Sequence, residues 1–576
     1  MAQAGQSSTR QQELLRTIDW RGAFWIASGV PALVLISIGG MGATAGKLAF
    51  IAWTISVLMG FIQSFSYAEI AGLFKNKSGG AAIYGAAAWL RYNKFIAPLS
   101  VWCNWYAWTP VLSLGCAVAA GYILNAIAPL PVIDPASPEV QAWLADTANA
   151  AALAGQTPND ANKLAVTALT EAATPWIRVF KVASFSLFGV VQVEIGATFF
   201  IGAVLMLLAF AIQHRGVLGT AKVQMWIGLI VLIPMIIVGV APFLNGNVTA
   251  GNFSPLAPPG GEWTNGGWTV FLGALFIAGW STYAFETAVC YTREFRNPTT
   301  DTFKAILWSG VVCVVLYSLV AAAFQGYLGV EGMTAPDIVD GTGVAQVMGE
   351  MVGDAGGIVV YLLEMMMILA LMLAIMMAMA GSSRTLYQGS VDGWLPRYLS
   401  HVNEHGAPTK AMWTDLIFNL GLLTIAASDA KAYYLVLSIS NVGYMIFIFL
   451  NLQAAWIHRI DSPNAERPYR APTALLALGA LLGFVNLALM GAGAKVWGNP
   501  DALVYGIGFA LLIIPVFMYR HFVQDGGRFP DRMLEDLGVS GGSLGERKAG
   551  ILPYLVLAFG VVVVVIADRY FQLPPT

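Results

Sequence analysis

The chain has 576 residues, of which 57% are hydrophobic and 11% charged, with a formal net charge of −2 and a mean hydropathy of +0.68. Soluble domains carry about 25% charged residues, so the composition excludes an ordinary soluble enzyme, and the charge gives no electrostatic footprint for nucleic acid. The four cysteines, Cys103, Cys116, Cys290 and Cys313, lie inside apolar runs, without a C-x-x-C pair or a His-rich cluster, which argues against disulfides and a structural zinc site.

Residues 1–21 are polar, show no cleavable-signal pattern and are read as a cytoplasmic N-terminal segment. An apolar run of about 20 residues is needed to cross a bilayer. Thirteen follow, near 22–46, 48–73, 95–128, 194–213, 222–243, 268–292, 303–328, 357–383, 410–427, 433–457, 473–494, 502–520 and 551–571. Alternating them from an inside N-terminus puts 23 of the 30 Lys and Arg residues on the inner side, as the positive-inside rule requires. The expected fold class is an all-α polytopic membrane protein, multi-pass in the inner or plasma membrane, with the lipid bilayer as a partner and no nucleic acid.

Segment 129–193 is Ala-, Asn-, Pro- and Asp-rich and ends in FSLFGVVQVEIG. Short helices and a hairpin over the outer mouth are expected there, as a lid, a partner-docking site or a tolerated insertion. Residues 521–550 read as a cytoplasmic loop with Arg528, Arg532, Arg547 and Lys548. The run 551–571 has no polar interior group and reads as an extra helix, packed outside the bundle or at a homodimer contact.

Inside this apolar chain the stretch from Phe276 to Pro298, FIAGWSTYAFETAVCYTREFRNP, is out of character. Gly279, Trp280, Ser281, Thr282, Tyr283 and Glu286 put small, polar and aromatic groups where lipid-facing aliphatics are expected. A charge at the bilayer centre costs about 2.5–3.5 kcal/mol on insertion scales, so such a residue is paired or functional. Broken intramembrane helices are tolerated only around an enclosed cavity. The alternative is a polar packing face between helices. Asn104 and Trp108 in the third span, and Ser438, Ser440, Asn441 and Tyr444 in the tenth, are either cavity wall or interhelical hydrogen bonds.

Five motifs recur in order. SYAEIAGLF from Ser66 to Phe74 is followed by Gly79-Gly80, and Ala284-Phe285-Glu286 precedes Glu294-Phe295-Arg296-Asn297-Pro298. SSRTLYQGSVDGWLP runs from Ser382 to Pro396, with Gly406-Ala407-Pro408 beyond it, and Arg467-Pro468-Tyr469-Arg470-Ala471-Pro472 precedes the eleventh span. Together they resemble the amino acid–polyamine–organocation (APC) superfamily of secondary transporters, and its amino acid permeases, over about residues 20 to 520. Each motif also has a plain structural use: Glu69 as an interfacial ion pair, Asp392-Gly393 as a turn, Arg467 and Arg470 as positive-inside anchors.

The resemblance implies a five-plus-five inverted-repeat (leucine transporter-type) fold with 12 core transmembrane helices and the thirteenth outside it. Residues 22–243 form the first repeat, 268–457 the second, and 473–520 spans eleven and twelve. Substrate, an amino acid or related amine, then lies between the broken first helices of the two repeats and crosses by alternating access. The first-span break is expected at Ala27-Ser28-Gly29-Val30-Pro31, where Pro31 removes a backbone donor; Gly39-Gly40-Met41-Gly42 is the other candidate. Half-helix N-termini suit a carboxylate and C-termini an ammonium, so two breaks can read an α-amino acid without its side chain.

The implied substrate-binding residues are Ala27, Ser28, Gly29, Val30, Asn104, Trp108, Gly279, Trp280, Ser281, Tyr283 and Glu286, with Trp280 at an aromatic gate position. The implied coupling or gating residues are Glu286, Ser382, Ser383 and Tyr444. Members that use protons or no ion carry a lysine in the fifth span; the AKVQ motif (Ala221 to Gln224) is present, but the lysine position falls near Val231. Three coupling modes follow: a proton carried by Glu286, exchange, or Na+ held by Ser382 and Ser383 with first-span carbonyls. Glu364 is a further acidic candidate near the outer mouth. No cofactor beyond the coupling ion, H+ or Na+, is expected. No H-E-x-x-H, G-x-S-x-G or G-x-x-x-x-G-K-[ST] motif occurs, against an intramembrane enzyme or an ATP-driven pump. A channel and a transporter-like nutrient sensor are the other readings.

Overall fold

The computed structural model describes residues 14–573 except 36, 130, 132, 155–156, 188–190, 340, 342, 354–356, 429, 498 and 537–545. Most of the expected N-terminal segment and part of the 521–550 loop therefore lie outside the described residues. Among those described, ten helical stretches are long and apolar enough to cross a membrane. Three expected spans depart from that standard. The first is broken into short pieces, the fourth (Ala197–Gln213) has 17 residues because 191–196 is strand, and the ninth (Thr409–Ala426) carries Lys410, Asp415 and Asn419.

The first span opens as a helix over Trp20–Ala27, where the Asp19 carboxylate caps the backbone N–H groups of Arg21 and Gly22, both at 3.1 Å. A turn over 28–30 and a 3-10 turn at Pro31–Val34 interrupt it before a second helix, Ile38–Ala45. The glycine-rich stretch Gly39-Gly40-Met41-Gly42 is thus not a break but helix. Its glycines permit close approach: a Cβ on Gly39 would meet the Ile338 carbonyl, one on Gly40 the Tyr434 hydroxyl, and one on Gly42 would lie 2.7 Å from Met333 Cβ.

The sixth span runs as a helix over Asn265–Thr282 and then, from Ala284 to Glu294, as an 11-residue 3-10 helix. It does not unwind at Gly279 or Ser281. The Ser281 and Thr282 hydroxyls donate back to the Ala278 carbonyl at 3.2 and 2.8 Å, which keeps their turn helical. Beyond Tyr283, Thr287 and Thr292 donate three residues back, to Ala284 and Val289 carbonyls. A 3-10 run rarely exceeds 3–4 residues and marks a strained or hinge-like segment.

The helices pack in a repeating pattern. The third span packs on the tenth as the eighth packs on the fifth, and the first packs on the seventh as the sixth packs on the second. The fourth meets the eighth as the ninth meets the third, while second and seventh pair with each other. Shifting every span by five reproduces the set, as an internally repeated five-plus-five bundle requires. Pro110 divides the third span into Ile96–Trp108 and Val111–Ile127.

Segment 129–193 forms helices at Pro138–Ala145, Pro158–Ala173 and Trp176–Val179, then antiparallel strands Lys181–Leu187 and Val191–Gly196. Arg178 fastens it to the third span through the Ala128 carbonyl and the Asn125 side chain. The last helix, Leu552–Tyr570, packs along the eleventh span, and Asp568 pairs with Lys495 at 2.8 Å. At its start, Tyr554 donates to the Tyr92 carbonyl, and the Tyr92 hydroxyl donates to Asp461 at 2.8 Å. Burial and the Asp461 carboxylate push that hydroxyl up to about 12, so it stays a donor at physiological pH.

Candidate functional site

The two interrupted spans lie side by side. Pro31–Val34 and Ile38–Ala45 pack on Asn265–Thr282, while Trp20–Ala27 packs on Ala284–Glu294. Where the sixth span changes pitch, Glu286 is 1% exposed. Its Oε1 accepts from Trp108 Nε1 at 3.2 Å, and its Oε2 has no partner. An unpaired buried carboxylate oxygen is costly and signals a ligand, a water or a proton.

Trp108 brings a cluster of aromatic rings to this carboxylate. Trp108 stacks on Trp280 at 6.4 Å and meets Tyr444 edge-on at 5.0 Å, and Tyr283 lies 6.3 Å from Tyr444. Trp280 Nε1 donates to the Ala107 carbonyl at 3.1 Å, and the Tyr283 hydroxyl to Asn486 at 3.2 Å. Asn104 accepts from Thr385 at 2.9 Å. Asn104, Trp108, Trp280, Tyr283, Glu286 and Tyr444 therefore form one constellation on the third, sixth and tenth spans.

The first-span residues stand differently. Ser28 donates to Trp25 of its own helix at 2.6 Å, and the Val30 carbonyl is taken by the Tyr317 hydroxyl at 2.8 Å. Gly29 faces the eighth span, where a Cβ would lie 2.8 Å from the Leu373–Ala374 backbone. Ala27 belongs to a small buried cluster with Ala288 and Ala380. Gly279 faces Met445 and the Tyr283 ring. Ser281 lines a small cavity with Leu33, Ser37, Trp280 and Tyr434, with room for about one water.

Ser438 and Asn441 act between helices, donating to the Ala494 and Phe276 carbonyls at 3.0 and 2.6 Å. Ser383 donates within its own helix to Ala380 at 3.4 Å. Ser382 turns to Asp415, 2.5 Å away, rather than to the first span. Asp415 escaped the sequence reading because an acid six residues into a weakly apolar helix looks like a solvated end. The i, i+4 spacing of Asp415 and Asn419 was the available signal. Gln224, read from the sequence only as the last residue of AKVQ, bridges the Ile26 and Leu373 carbonyls with its Nε2, both at 3.4 Å, tying the broken first span to the eighth. Val231 is buried among apolar groups, and Glu364 is half-buried.

The end of the bundle where the first helix begins, here termed the N-terminal face, is closed by buried ion pairs. Arg384 forks onto Glu294, Lys77 meets Asp392 at 2.7 Å, and Glu69 holds Arg459 at 2.6 Å and Arg467 at 3.2 Å. Thr17 and Ile18 donate their N–H groups to the Glu294 carbonyl, and Arg296 returns one to Ile18 at 2.8 Å. Gly393, at φ 86°, makes the turn after Asp392. With Trp280 and Glu286 also buried, the site is occluded from both faces.

Comparison with known proteins agrees with this architecture. A family model described as amino acid permease matches residues 18–516. The chain is similar to the branched-chain amino acid permease BcaP of Lactococcus lactis subsp. cremoris (strain MG1363), 22% identical over 329 residues that cover 55% of this chain and 65% of the relative. It is similar to the lysine-specific permease LysP of the same strain, 25% identical over 44% of this chain and 50% of the relative. It is also similar to the polyamine transporter PUT1 of Oryza sativa subsp. japonica, 23% identical over 40% of this chain and 43% of the relative. The chain thus spans about two thirds of the first relative's length and half or less of the other two. A multi-pass helical bundle with paired helix interruptions, matched by one family model along most of its length, belongs to the amino acid permease family.

Proposed function

We propose that the protein is a secondary transporter of amino acids or related organic amines, working by alternating access with its N-terminal face in the cytoplasm. The observation that carries this reading is Glu286: a buried carboxylate with one unpaired oxygen, under Trp108, Trp280 and Tyr444, where the sixth span changes from α to 3-10. Branched-chain amino acids, lysine and polyamines, named for the relatives, share an ammonium group at neutral pH. A buried carboxylate beside a cluster of aromatic rings favours such a group.

The closed N-terminal face supports alternation. Inward opening has to separate Arg384 from Glu294 and Lys77 from Asp392, and outward opening has to part the rings above Glu286. The excess of Lys and Arg on the N-terminal side supports the orientation. Proton coupling, exchange and sodium coupling are separated by the ion arms of the experiment below.

Uptake of leucine, lysine and putrescine into proteoliposomes, with and without Na+ and a pH gradient, tests the reading. Saturable uptake stimulated by the same solute on the far side is expected for at least one probe. Flux without saturation or trans-stimulation indicates a channel, and binding without flux a sensor.

A further inference from the structure

At the N-terminal face the ends of the eighth and twelfth spans border a cavity of about 640 Å3, to which the transport reading assigns no role. Its charged lining is four arginines, Arg397, Arg520, Arg528 and Arg532, against two aspartates, Asp525 and Asp531. A concave surface with an excess of one sign focuses the field and draws in the opposite charge.

The twelfth span reaches this cavity through an irregular end. Helix Ile513–Met518 passes into a π-helical turn, Tyr519–Gln524, a form frequent at functional sites. Gly526 and Gly527, at φ 62° and 80°, then reverse the chain, and the Gly527 N–H donates to the His521 carbonyl at 2.7 Å. Beyond them the Phe529 ring lies 4.7 Å from His521 and 5.4 Å from Trp394, which fastens the returning segment to the turn after the eighth span. Arg520 and Arg528, one before and one after the reversal, are thereby brought to the same cavity.

Asp525 does not neutralise it. Its Oδ1 accepts from Arg397 Nε and Nη2 at 2.9 and 2.7 Å, and its Oδ2 from Arg520 Nε at 2.6 Å, so one carboxylate serves two arginines. Arg520 also donates to the Leu395 carbonyl at 2.6 Å, which holds a side chain only 4% exposed. The lining hydroxyls of Ser390 and Ser400 are engaged with the Pro396 and Arg397 carbonyls at 2.7 and 2.8 Å. What the cavity offers is guanidinium N–H groups, whose planar fork matches the oxygens of a phosphate. Four positive groups against two negative ones leave an excess close to the charge of one phosphate monoester at neutral pH.

We propose that this cavity binds a phosphate-bearing anion, held by Arg397, Arg520, Arg528 and Arg532 between the ends of the eighth and twelfth spans. Because two spans end here, an anionic lipid headgroup and a soluble phosphate compound are both sources of that group, and the contact chemistry is the same. An occupant ties the 525–532 segment to the end of the eighth span, whose next residue, Asp392, holds Lys77.

The test is thermal unfolding of purified full-length protein in detergent at constant ionic strength. The probes are inorganic phosphate, mixed micelles containing phosphatidylglycerol, and mixed micelles containing phosphatidylcholine. A saturable rise in Tm with inorganic phosphate supports the site and identifies a soluble anion as sufficient; a rise with phosphatidylglycerol alone supports it and identifies a lipid headgroup. In Arg528→Gln/Arg532→Gln the active probe should bind at least about tenfold more weakly, through loss of charge-assisted hydrogen bonds. Arg547→Gln/Lys548→Gln, which removes two cations outside the cavity lining, should leave the response unchanged. A lipid response no larger than that to phosphatidylcholine counts as none, and no response to either phosphate or phosphatidylglycerol overturns the proposal. Equal weakening in the two double variants also overturns it, since general positive charge would then bind the anion. Should Arg528→Gln/Arg532→Gln not assemble, Arg528→Lys decides, because Arg528 is exposed and lysine keeps the charge without the fork. Weaker binding in that variant supports the site, and unchanged binding overturns it.

Discussion

Glu286 and Trp280 respond differently to substitution because one supplies charge and the other surface. Glutamine at 286 keeps an oxygen for Trp108 Nε1 and nearly the same volume, so stability should change by no more than about 1.5 kcal/mol. A charge-assisted hydrogen bond to substrate, about 1.5–3 kcal/mol, would be lost, and initial uptake should fall about tenfold or more. Uptake at the wild-type rate would return Glu286 to a packing role. Trp280→Leu keeps an apolar filler but removes the ring that stacks on Trp108, so the KM for substrate should rise severalfold. An unmoved KM would mean that the ring is wall rather than gate. At this scale the sequence marked Glu286, Trp280, Trp108 and Tyr444, because polar and aromatic side chains stand out against an apolar span. It did not mark Asp415 and named Gln224 only within AKVQ, because the importance of both lies in what they touch.

At the scale of elements, the interruption of the first span was legible from Ser28-Gly29-Val30-Pro31, where a missing donor ends the helix ahead of Pro31. Gly39-Gly40-Met41-Gly42 was the second candidate for the break, yet its glycines serve contact with the 336–339 turn, the tenth span and Met333. Gly39→Ala should therefore behave as overpacking against rigid backbone, lowering stability by about 1–3 kcal/mol in thermal unfolding. Unchanged stability would show that the 336–339 turn yields. The sixth span misled in the opposite way. Ser281 and Thr282 suggest a gap, but their hydroxyls bond back to Ala278, and the helix changes pitch only after Tyr283. Propensity reports what a residue tolerates; the neighbouring helices select which tolerance is used.

Across the whole molecule, the N-terminal face is tied by buried ion pairs, each joining distant parts of the chain. Lys77 and Asp392 are 2% and 4% exposed at their side chains, so replacing the Asp392 carboxylate breaks a buried ion pair, at a cost of about 3–5 kcal/mol to the closed form. Asp392→Asn should shift the population towards an open N-terminal face. Cys290, 2% exposed and beside Gly80, reports on that opening. Its labelling by a membrane-permeant thiol reagent should be negligible in wild type and rise in the variant. Equal labelling would mean that Arg384–Glu294 and Glu69–Arg459 suffice to hold the face shut.

The sequence by itself determined the class of molecule, most of its helices and its family motifs. A bilayer demands long apolar runs with backbone groups satisfied internally, and that demand is written locally, residue by residue. Only the tertiary structure decided which polar side chains meet. Trp108 and Glu286 are 178 residues apart, and Trp105 and Asp415 are 310 apart. Hydropathy says that a helix crosses the membrane, but the rotation of that helix about its axis is set by packing against its neighbours. That rotation turned Ser382 away from the first span and onto a carboxylate that local sequence had left at the edge of a helix.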